Sequence, residues 1–415
     1  MPGPVVVTGL GVVCALGRTV PEFADALRAG RCGVTEVDGE PVAHAPAVDP
    51  ADAADRAGLP ERRRRAVRAA AARQPGPVLA ALSAATEAWA AARAEGAVPG
   101  ERVGLVVGGH NLTGWYAHRH HDTFTREPAY LPARYALQIQ DTDHVGTVSE
   151  AFGVKGEGYT VGGSSASGTV ALVHGARLVR HGVVDLCLVL GAMVRLAPPE
   201  RASLARLGVL TRDPPARPFD RGRSGFVPGE GTACLVLESP DHAARRGAPP
   251  LAELAGCGQA LDANRYADPD VAGEVRAMRQ ALADAGVDSC DVDYVNAHAT
   301  ATPAGDDAEA AALRTVFGST GPGGPADRPA AGGPWVNATK ALVGHCLSAA
   351  GAVEAVATVV QLRDGFLHPN PHLADPVDAS LRLVGRVAVP ARTRYAVSNS
   401  FGFGGINSSV VLRSI

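Results

Sequence analysis

The stretch "EGYTVGGSSASGTVALVHGARLVRHGVVDLCLVLG", residues 157–191, decides the fold. Its pattern predicts a strand, a tight turn of Gly and Ser, a buried helix and a second strand. In an enzyme that forms a covalent intermediate, such a turn before a buried helix is where the nucleophile would stand. The candidate here is Ser165, because none of the seven cysteines lies in this turn.

The composition around this stretch is that of a globular protein without a nucleic-acid or membrane partner. A chain of 415 residues can bury one large core or two fused ones. The net charge of −3 and the lack of an aromatic-basic stripe argue against nucleic acid. Apolar runs such as residues 183–194 are too short to span a bilayer, and the first residues lack a signal peptide's charged region. We therefore expect a cytoplasmic protein.

Neither the cysteines nor the histidines predict a metal site. The cysteines are odd in number and form no Cys-x-x-Cys pair, which argues against disulfides and zinc. His118, His120 and His121 lack helical i, i+4 spacing, and we predict that they lie in a loop. Lysine is nearly absent, since Lys155 and Lys340 are the only two, so Lys340 in its apolar context stands out.

Outside this region, apolar strand patterns alternate with Ala-rich helical patterns along the chain. Strands that are apolar throughout predict sheets that are covered on both faces. The C-terminal residues 395–415 predict two strands joined by a glycine turn. Residues 43–57 and 318–334 have the composition of surface loops. We predict a boundary near residue 250, which divides the chain into residues 1–250 and 251–415.

Three further segments carry candidate chemistry. In residues 294–313, a buried strand ends at His298. In residues 336–355, Lys340 and His345 lie on either side of Gly344. In residues 399–409, three glycines suggest a backbone close to a ligand or to another backbone. Each segment alone also has a structural explanation: a satisfied buried histidine, a helix N-terminus with an incidental histidine, and a tight hairpin.

These motifs, in this order, closely resemble the β-ketoacyl-acyl carrier protein synthases of the thiolase fold. The resemblance covers essentially the whole chain. It implies an α/β fold with a duplicated, five-layered αβαβα arrangement and mixed sheets. It also implies a homodimer, because residues 138–150 match the dimer-interface segment of the family. The stretches that carry it are "VVVTGLGVV" (5–13), "DRGRSGFVPGEGTACLVLE" (220–238), "NAHATATPAGD" (296–306), "NATKALVGHCLSAAGAVEA" (337–355) and "NSFGFGGIN" (399–407).

The resemblance implies roles for the residues of these motifs. In the family, a Cys-x-Ser-Gly turn carries the nucleophile, and Ser165 occupies the place of that cysteine. His298 and His345 match the two histidines that stabilise the enolate when a malonyl thioester loses CO2, and Lys340 matches the lysine of the second histidine motif.

Other positions of the resemblance concern the substrate arm. Phe403 matches the gating aromatic residue, and its N–H with that of Ser165 would form a second oxyanion hole. Thr300 and Thr302 match the hydroxyls that hold the phosphopantetheine arm of an acyl carrier protein, and Gly404 belongs to the substrate-binding glycine turn. No other cofactor is implied.

The serine changes the predicted reaction. A cysteine at a helix N-terminus is partly ionised, whereas a serine hydroxyl is far less acidic and needs a strong base. Decarboxylation does not need the cysteine. We therefore predict conversion of malonyl-acyl carrier protein to acetyl-acyl carrier protein. Several stretches resemble the decarboxylating, Cys-to-Ser ketosynthase of polyketide β-branching cassettes, in which an HMG-synthase-like enzyme uses the acetyl unit.

Two alternatives remain open at this point. A non-catalytic partner like the chain-length factor of aromatic polyketide systems also lacks the cysteine, but such proteins typically lose the histidine motifs too. A serine-based condensing enzyme or acyltransferase would form an acyl-Ser165 species. The basic segment 60–73 could dock an acidic carrier protein, or it could be a solvated helix face. Ala299 and Ala301 stand where the family normally has Gly, and a positive φ at Ala299 would strain the backbone.

Overall fold

The computed structural model describes residues 3–37, 39–318 and 333–415. Most of the second predicted surface loop, residues 319–332, lies outside the described residues. The strands are β1 (Val5–Cys14), β2 (Thr35–Val37), β3 (Glu40–Val42), β4 (Val103–Gly108), β5 (Gly158–Val161), β6 (Leu186–Gly191), β7 (Gly231–Glu238), β8 (Ala252–Leu261), β9 (Tyr294–Asn296), β10 (Trp335–Asn337), β11 (Phe366–Leu367), β12 (Arg382–Leu383), β13 (Val389–Pro390), β14 (Tyr395–Gly402) and β15 (Ile406–Arg413).

Helices connect most of these strands. The α-helices are α1 (Val20–Ala29), α2 (Pro50–Arg56), α3 (Glu61–Ala71), α4 (Gly76–Ala91), α5 (Gly114–Arg126), α6 (Tyr135–Gln138), α7 (Thr142–Phe152), α8 (Ser167–Arg180), α9 (Pro198–Leu207), α10 (Pro240–Arg245), α11 (Val271–Ala285), α12 (Pro303–Phe317), α13 (Lys340–Val343) and α14 (Ala350–Asp364).

The main sheet consists of two halves with the same topology. Its strand order is β12-β10-β9-β14-β15-β8-β1-β7-β6-β4-β5, and the halves meet where β1 and β8 pair antiparallel. Outward from this junction, the N-terminal half consists of β1, β7, β6, β4 and β5, and the C-terminal half consists of β8, β15, β14, β9 and β10. In both halves, the first of these five strands along the chain is therefore followed by the fifth, the fourth, the second and the third. β12 extends the C-terminal half. The predicted duplicated α/β arrangement with mixed sheets is therefore confirmed. The division at residue 250 falls between α10 and β8 and stays a prediction.

Helices cover both faces of each half-sheet. α4 packs on the outer face of the N-terminal half and α11 on that of the C-terminal half, while α8 and α14 lie between the halves. Consecutive residues of β6 show the two faces: Leu186, Leu188 and Leu190 belong to the outer core, and Cys187 and Val189 to the central core. This alternation of buried side chains explains why the strand is apolar throughout.

Two segments that we predicted to be loops contain helices. Within residues 43–57, Pro50–Arg56 forms α2, with Asp49 as the N-cap that accepts a hydrogen bond from Ala51 N–H. This Asp-Pro pair is a helix-start signal that outweighs the loop-like composition. His118, His120 and His121 lie on α5, not in a loop. The apolar period that predicts a helix is missing there, because α5 buries none of its residues.

Candidate active site

Ser165 lies in a one-turn 3-10 helix, Ser164–Ala166, that leads into α8. Two hydrogen bonds brace this turn: Gly163 N–H donates to Ser167 Oγ at 2.9 Å, and Ser167 Oγ donates to Ser164 O at 2.7 Å. Ser164 has φ +51°, a left-handed conformation that costs energy for a residue with a side chain. The braced turn holds the Ser165 hydroxyl 2.9 Å from His345 Nε2.

The hydrogen bonds of His345 determine which ring nitrogen carries the proton. Leu347 N–H donates to His345 Nδ1 at 3.2 Å, so Nδ1 must present its lone pair. In the neutral ring, the proton therefore lies on Nε2, and Nε2–H donates to Ser165 Oγ. The imidazole and the ring of Phe226 meet edge to face, with centroids 4.8 Å apart. In this tautomer His345 is a donor to the cavity and not a base for Ser165.

His298 has the same tautomer for a different reason. Lys340 Nζ donates to His298 Nδ1 at 3.1 Å and to the carbonyl oxygen of the same residue at 2.6 Å. Because Nδ1 accepts, the ring proton lies on Nε2. The rings of His298 and His345 are 5.7 Å apart between centroids and meet edge to face. The site thus contains two neighbouring imidazoles that each carry a proton on Nε2.

Burial keeps both imidazoles uncharged. It lowers the pKa of His298 and of His345 well below the usual value, and the positive charge of Lys340 lowers both further. Lys340 also donates to Glu354, and both side chains are buried. Burial raises the pKa of Glu354 to about 7, against the opposing effect of Lys340. Glu354 was missed at the level of sequence, although an acid inside the apolar helix α14 is a usable signal.

Two buried acids hold the backbone that follows His298. Glu309 accepts from the N–H groups of His298 at 2.9 Å and Ala299 at 2.7 Å, and Asp306 accepts from Ala301 N–H at 2.9 Å. Ala299 has φ +32° and Ala301 has φ +61°. Both alanines therefore adopt the positive φ that favours glycine, and the acid anchors hold the chain there.

Ser165 and both imidazoles line a cavity of about 870 Å³. Thr300 and Thr302 line the same cavity, with their hydroxyls 2.9 Å apart. The two hydroxyls could therefore bind one polar group of a ligand together. The structure thus brings the three candidate reactive side chains and the two predicted arm-binding threonines to one space.

The glycine turn between β14 and β15 forms another part of the cavity wall. Phe403 lines the cavity and is 40% exposed, and Gly404 has φ +84° and donates to Tyr266 O at 3.1 Å. Within the described residues, the N–H groups of Ser165 and Phe403 have no backbone acceptor. These N–H groups are available to a ligand, as the predicted second oxyanion hole requires. Phe401, whose ring centroid is 5.7 Å from that of His298, is a further contact that was not predicted.

The basic segment 60–73 is engaged within the chain. Arg63 pairs with Glu95 at 2.7 Å, and its guanidinium lies over the rings of Trp89 and Phe152. Three other arginines of the segment form ion pairs with acids of α2 and α3: Arg64 with Asp55, Arg65 with Glu61 and Arg68 with Asp55. These contacts favour the solvated, internally paired helix face over a docking surface.

Three properties of the described residues bear on other classes of site. No group of three His, Cys, Asp or Glu side chains is arranged there to hold a metal ion. None of the cysteines in these residues forms a disulfide bond. No helix in the described part of the chain has the length and apolar character needed to cross a membrane.

The duplicated α/β scaffold and the paired neutral imidazoles define a thiolase-fold protein of the ketosynthase type. The chain belongs to the beta-ketoacyl synthase family: the N-terminal domain of that family matches residues 3–243, and the C-terminal domain matches residues 251–374. The chain is 35% identical to "Polyketide biosynthesis malonyl-ACP decarboxylase PksF" of Bacillus subtilis (strain 168), over 99% of this chain and 96% of the relative.

Solved structures of polyketide ketosynthases share the fold along the full length of both chains. The ishigamide ketosynthase/chain length factor superposes with a TM-score of 0.85 at 28% identity. A type II polyketide synthase structure, in which an acyl carrier protein is in complex with its ketosynthase, superposes with a TM-score of 0.83 at 26% identity. Each alignment covers 100% of this chain and 100% of the other.

Proposed function

We propose that this protein removes CO2 from a malonyl group on an acyl carrier protein and leaves an acetyl group. The observation that carries the proposal is the pair of imidazoles, His298 and His345, each held with its proton on Nε2 beside a serine in the nucleophile position. The relative from Bacillus subtilis is named for this reaction.

The reaction follows from where negative charge develops. When the bond between the malonyl carboxylate and C2 breaks, CO2 leaves, and the electron pair forms an enolate whose charge lies on the thioester oxygen. Two Nε2–H donors stabilise this oxygen, because their rings are fixed in place before the reaction starts. The His345 donor exchanges Ser165 Oγ for the enolate oxygen. A proton from water then adds to C2 and completes the acetyl group. No covalent bond to the protein is needed.

Ser165 does not serve as a nucleophile in this scheme. Attack by its hydroxyl requires a base with a free lone pair within hydrogen-bond reach. The nearest nitrogen, His345 Nε2, carries the ring proton because Leu347 N–H occupies Nδ1. The acylation half of ketosynthase chemistry is therefore disabled while the decarboxylation half remains.

We place the reaction in polyketide β-branching. The acetyl-carrier product is a donor for carbon–carbon bond formation, and an HMG-synthase-like enzyme would consume it downstream. The substrate brings its own prosthetic group, the phosphopantetheine of the carrier protein, and the scheme needs no other cofactor. A cytoplasmic location stays a prediction.

We further propose a homodimer. α5 buries none of its residues, and Phe124, Tyr130 and Leu137 are more than half exposed in the same region of the chain. β5 forms one edge of the main sheet, with backbone groups free to pair. A non-catalytic, chain-length-factor-like role would require a ketosynthase partner instead, and the retained imidazole pair argues against that role.

Mass spectrometry of intact proteins tests the reaction directly. Malonyl-loaded carrier protein is incubated with and without this protein, and both masses are followed. We expect the carrier to lose the mass of CO2 while the enzyme gains nothing. An unchanged carrier would contradict the proposal and favour the non-catalytic partner, and an acylated enzyme would make Ser165 a working nucleophile.

A further inference from the structure

Glu274 is a buried carboxyl group that the mechanism does not use. It lies in the first turn of α11, is 1% exposed and lines the same cavity as the two imidazoles. Its side chain makes no hydrogen bond or ion pair with any described residue, and its Oε2 is a buried oxygen without a partner. A buried polar group without a partner is costly, so such a group at a cavity wall points to a ligand.

The surroundings of Glu274 determine the kind of ligand. Burial raises its pKa well above the usual value, and the negative charges of Glu309 and Asp262 raise it further. This shift favours the protonated carboxyl, which has an O–H to donate. The nearby acids disfavour an anionic ligand, so a neutral oxygen acceptor suits the site best.

The same wall is tied to the glycine turn. Asp262 N–H donates to Gly405 O at 2.9 Å, and Asn407 Nδ2 donates to Asp262 Oδ1 at 2.6 Å. Asp262 and Asn407 are thus paired with each other, whereas Glu274 lines the cavity and has no side-chain partner among the described residues. The cavity runs from here to Thr300, Thr302 and the imidazoles.

We propose that Glu274 is a positioning residue that donates a hydrogen bond from its carboxyl O–H to an amide carbonyl oxygen of the phosphopantetheine arm. This inference rests on the proposed function, because a carrier-bound thioester reaches the imidazoles only if its arm enters this cavity. The arm offers two amide carbonyls, which are neutral acceptors. The hydrogen bond fixes how far the arm enters and thereby places the thioester oxygen between the two Nε2–H groups.

The test compares Glu274→Met, which keeps the size but removes the donor, with Glu274→Gln, which restores an N–H donor. Calorimetry measures the binding of carrier protein with the arm (holo) and without it (apo). For Glu274→Met we expect the holo carrier protein to bind about five-fold more weakly, because one neutral hydrogen bond is lost. Binding of the apo carrier protein should be unchanged. Glu274→Gln should stay within about twofold of the parent. With malonyl-carrier protein, KM should rise in Glu274→Met, and kcat should fall further than in Glu274→Gln, because the thioester oxygen is no longer held between the two Nε2–H groups.

Glu87→Gln is the matched control, because Glu87 is a largely buried carboxyl on α4 that does not line the cavity. Unchanged holo binding in Glu274→Met would overturn the inference, as would equal losses in the Met and Gln variants. Thermal melts show whether each variant is folded, and an apolar Met in place of an unpaired carboxyl should fold well. Calorimetry with holo carrier protein measures binding only, because no malonyl group is present to react. A failure of the decarboxylase proposal would be seen in a different experiment, as malonyl-carrier protein that keeps its CO2.

Discussion

The position of one proton on each imidazole distinguishes this site from a nucleophilic one. His298 and His345 both present Nε2–H to the cavity, because Lys340 and the Leu347 N–H occupy the two Nδ1 atoms. A histidine that activates a hydroxyl would need the opposite arrangement, with a lone pair facing Ser165. The side chains of the site therefore favour stabilisation of an oxyanion over activation of a nucleophile.

Replacing either imidazole should cripple decarboxylation. His298→Ala or His345→Ala removes one donor to the enolate oxygen, and we expect the rate to fall by about 10²–10³. His345→Gln keeps an N–H donor near the same place and should retain more activity than His345→Ala. The measurement is the rate of CO2 loss from malonyl-carrier protein. An alanine variant with the parent rate would show that the enolate oxygen binds elsewhere.

The pH profile should be flat where a normal histidine titrates. Burial and Lys340 lower the pKa of both imidazoles well below the usual 6.5, so we expect them to stay neutral when the pH is lowered from 8 to 6. An ordinary imidazole would be about three quarters protonated at pH 6. Lys340 also donates to the carbonyl oxygen of His298, so we expect its hydrogen bond to His298 Nδ1 to survive protonation of Glu354 near pH 7. We expect the decarboxylation rate to vary by less than about twofold over this range; a fall centred near pH 6.5 would contradict the assignment of neutral imidazoles.

Sequence motifs predict the reactive residues but not the groups that fix their protonation. Ser165, His298, His345 and Lys340 stand in local patterns that can be read along the chain, and the structure brings all four together. Whether a ring nitrogen accepts or donates depends on contacts between distant segments, such as that of Lys340 with His298. The buried acids that anchor the site are likewise apparent only once the chain is folded.

At the level of elements, short strained turns carry the reactive groups. Ser164, Ala299, Ala301 and Leu347 all have positive φ, and each lies within three residues of Ser165, His298 or His345. Such conformations persist only where the surrounding packing and hydrogen bonds enforce them. The turns join rigid strands and helices, so they hold the side chains in place at a cost to stability.

The turn between α13 and His345 tests this relation. Gly344 has φ +68° and ψ −177°, and an added Cβ would lie 3.0 Å from Val227 O. We expect Gly344→Ala to lower the free energy of unfolding by about 1–3 kcal/mol and to reduce activity, since it moves His345. Urea denaturation measures the first effect. Gly385→Ala, where an added Cβ meets nothing within 4 Å, is the control and should stay within about 0.5 kcal/mol of the parent; equal stability of both variants would refute the strain at Gly344.

Elements with strong periodicity were predicted from sequence, and the weakly patterned ones were not. The apolar strand β6 and the hairpin of β14 and β15 lie where their patterns place them. α5 was missed because a helix that buries no residue has no apolar period to show. If α5 packs against a second copy of the chain, the residues that it buries are buried only in the dimer and not in one chain alone.

For the whole molecule, the duplicated topology places the site where the two halves meet. Ser165 comes from the N-terminal half, while His298, His345 and the glycine turn come from the C-terminal half, and α8 and α14 pack together between them. The sequence shows no short-period repeat, and the symmetry appears only in the strand order of the two halves. Either half alone therefore lacks part of the site.

Sedimentation tests the proposed assembly. We expect the protein to sediment as a homodimer of twice 42.4 kDa. The double variant Phe124→Glu, Leu137→Glu places charges on side chains that are 54% and 70% exposed in one chain, and it should yield monomers if they lie in the interface. Val387→Glu, at a site that is 76% exposed in the C-terminal half, is the control and should remain dimeric. A parent protein that is monomeric would contradict the homodimer.

The most direct test of the central claim is the rate of CO2 loss from malonyl-carrier protein with Ser165→Ala, measured beside the parent and His345→Ala. The claim is that two imidazole N–H donors drive decarboxylation and that the serine is not a nucleophile. It predicts that Ser165→Ala keeps most of the parent rate, within about threefold, while His345→Ala loses about 10²–10³. A Ser165→Ala variant as inactive as His345→Ala would contradict the claim, because it would show that the serine takes part in the reaction.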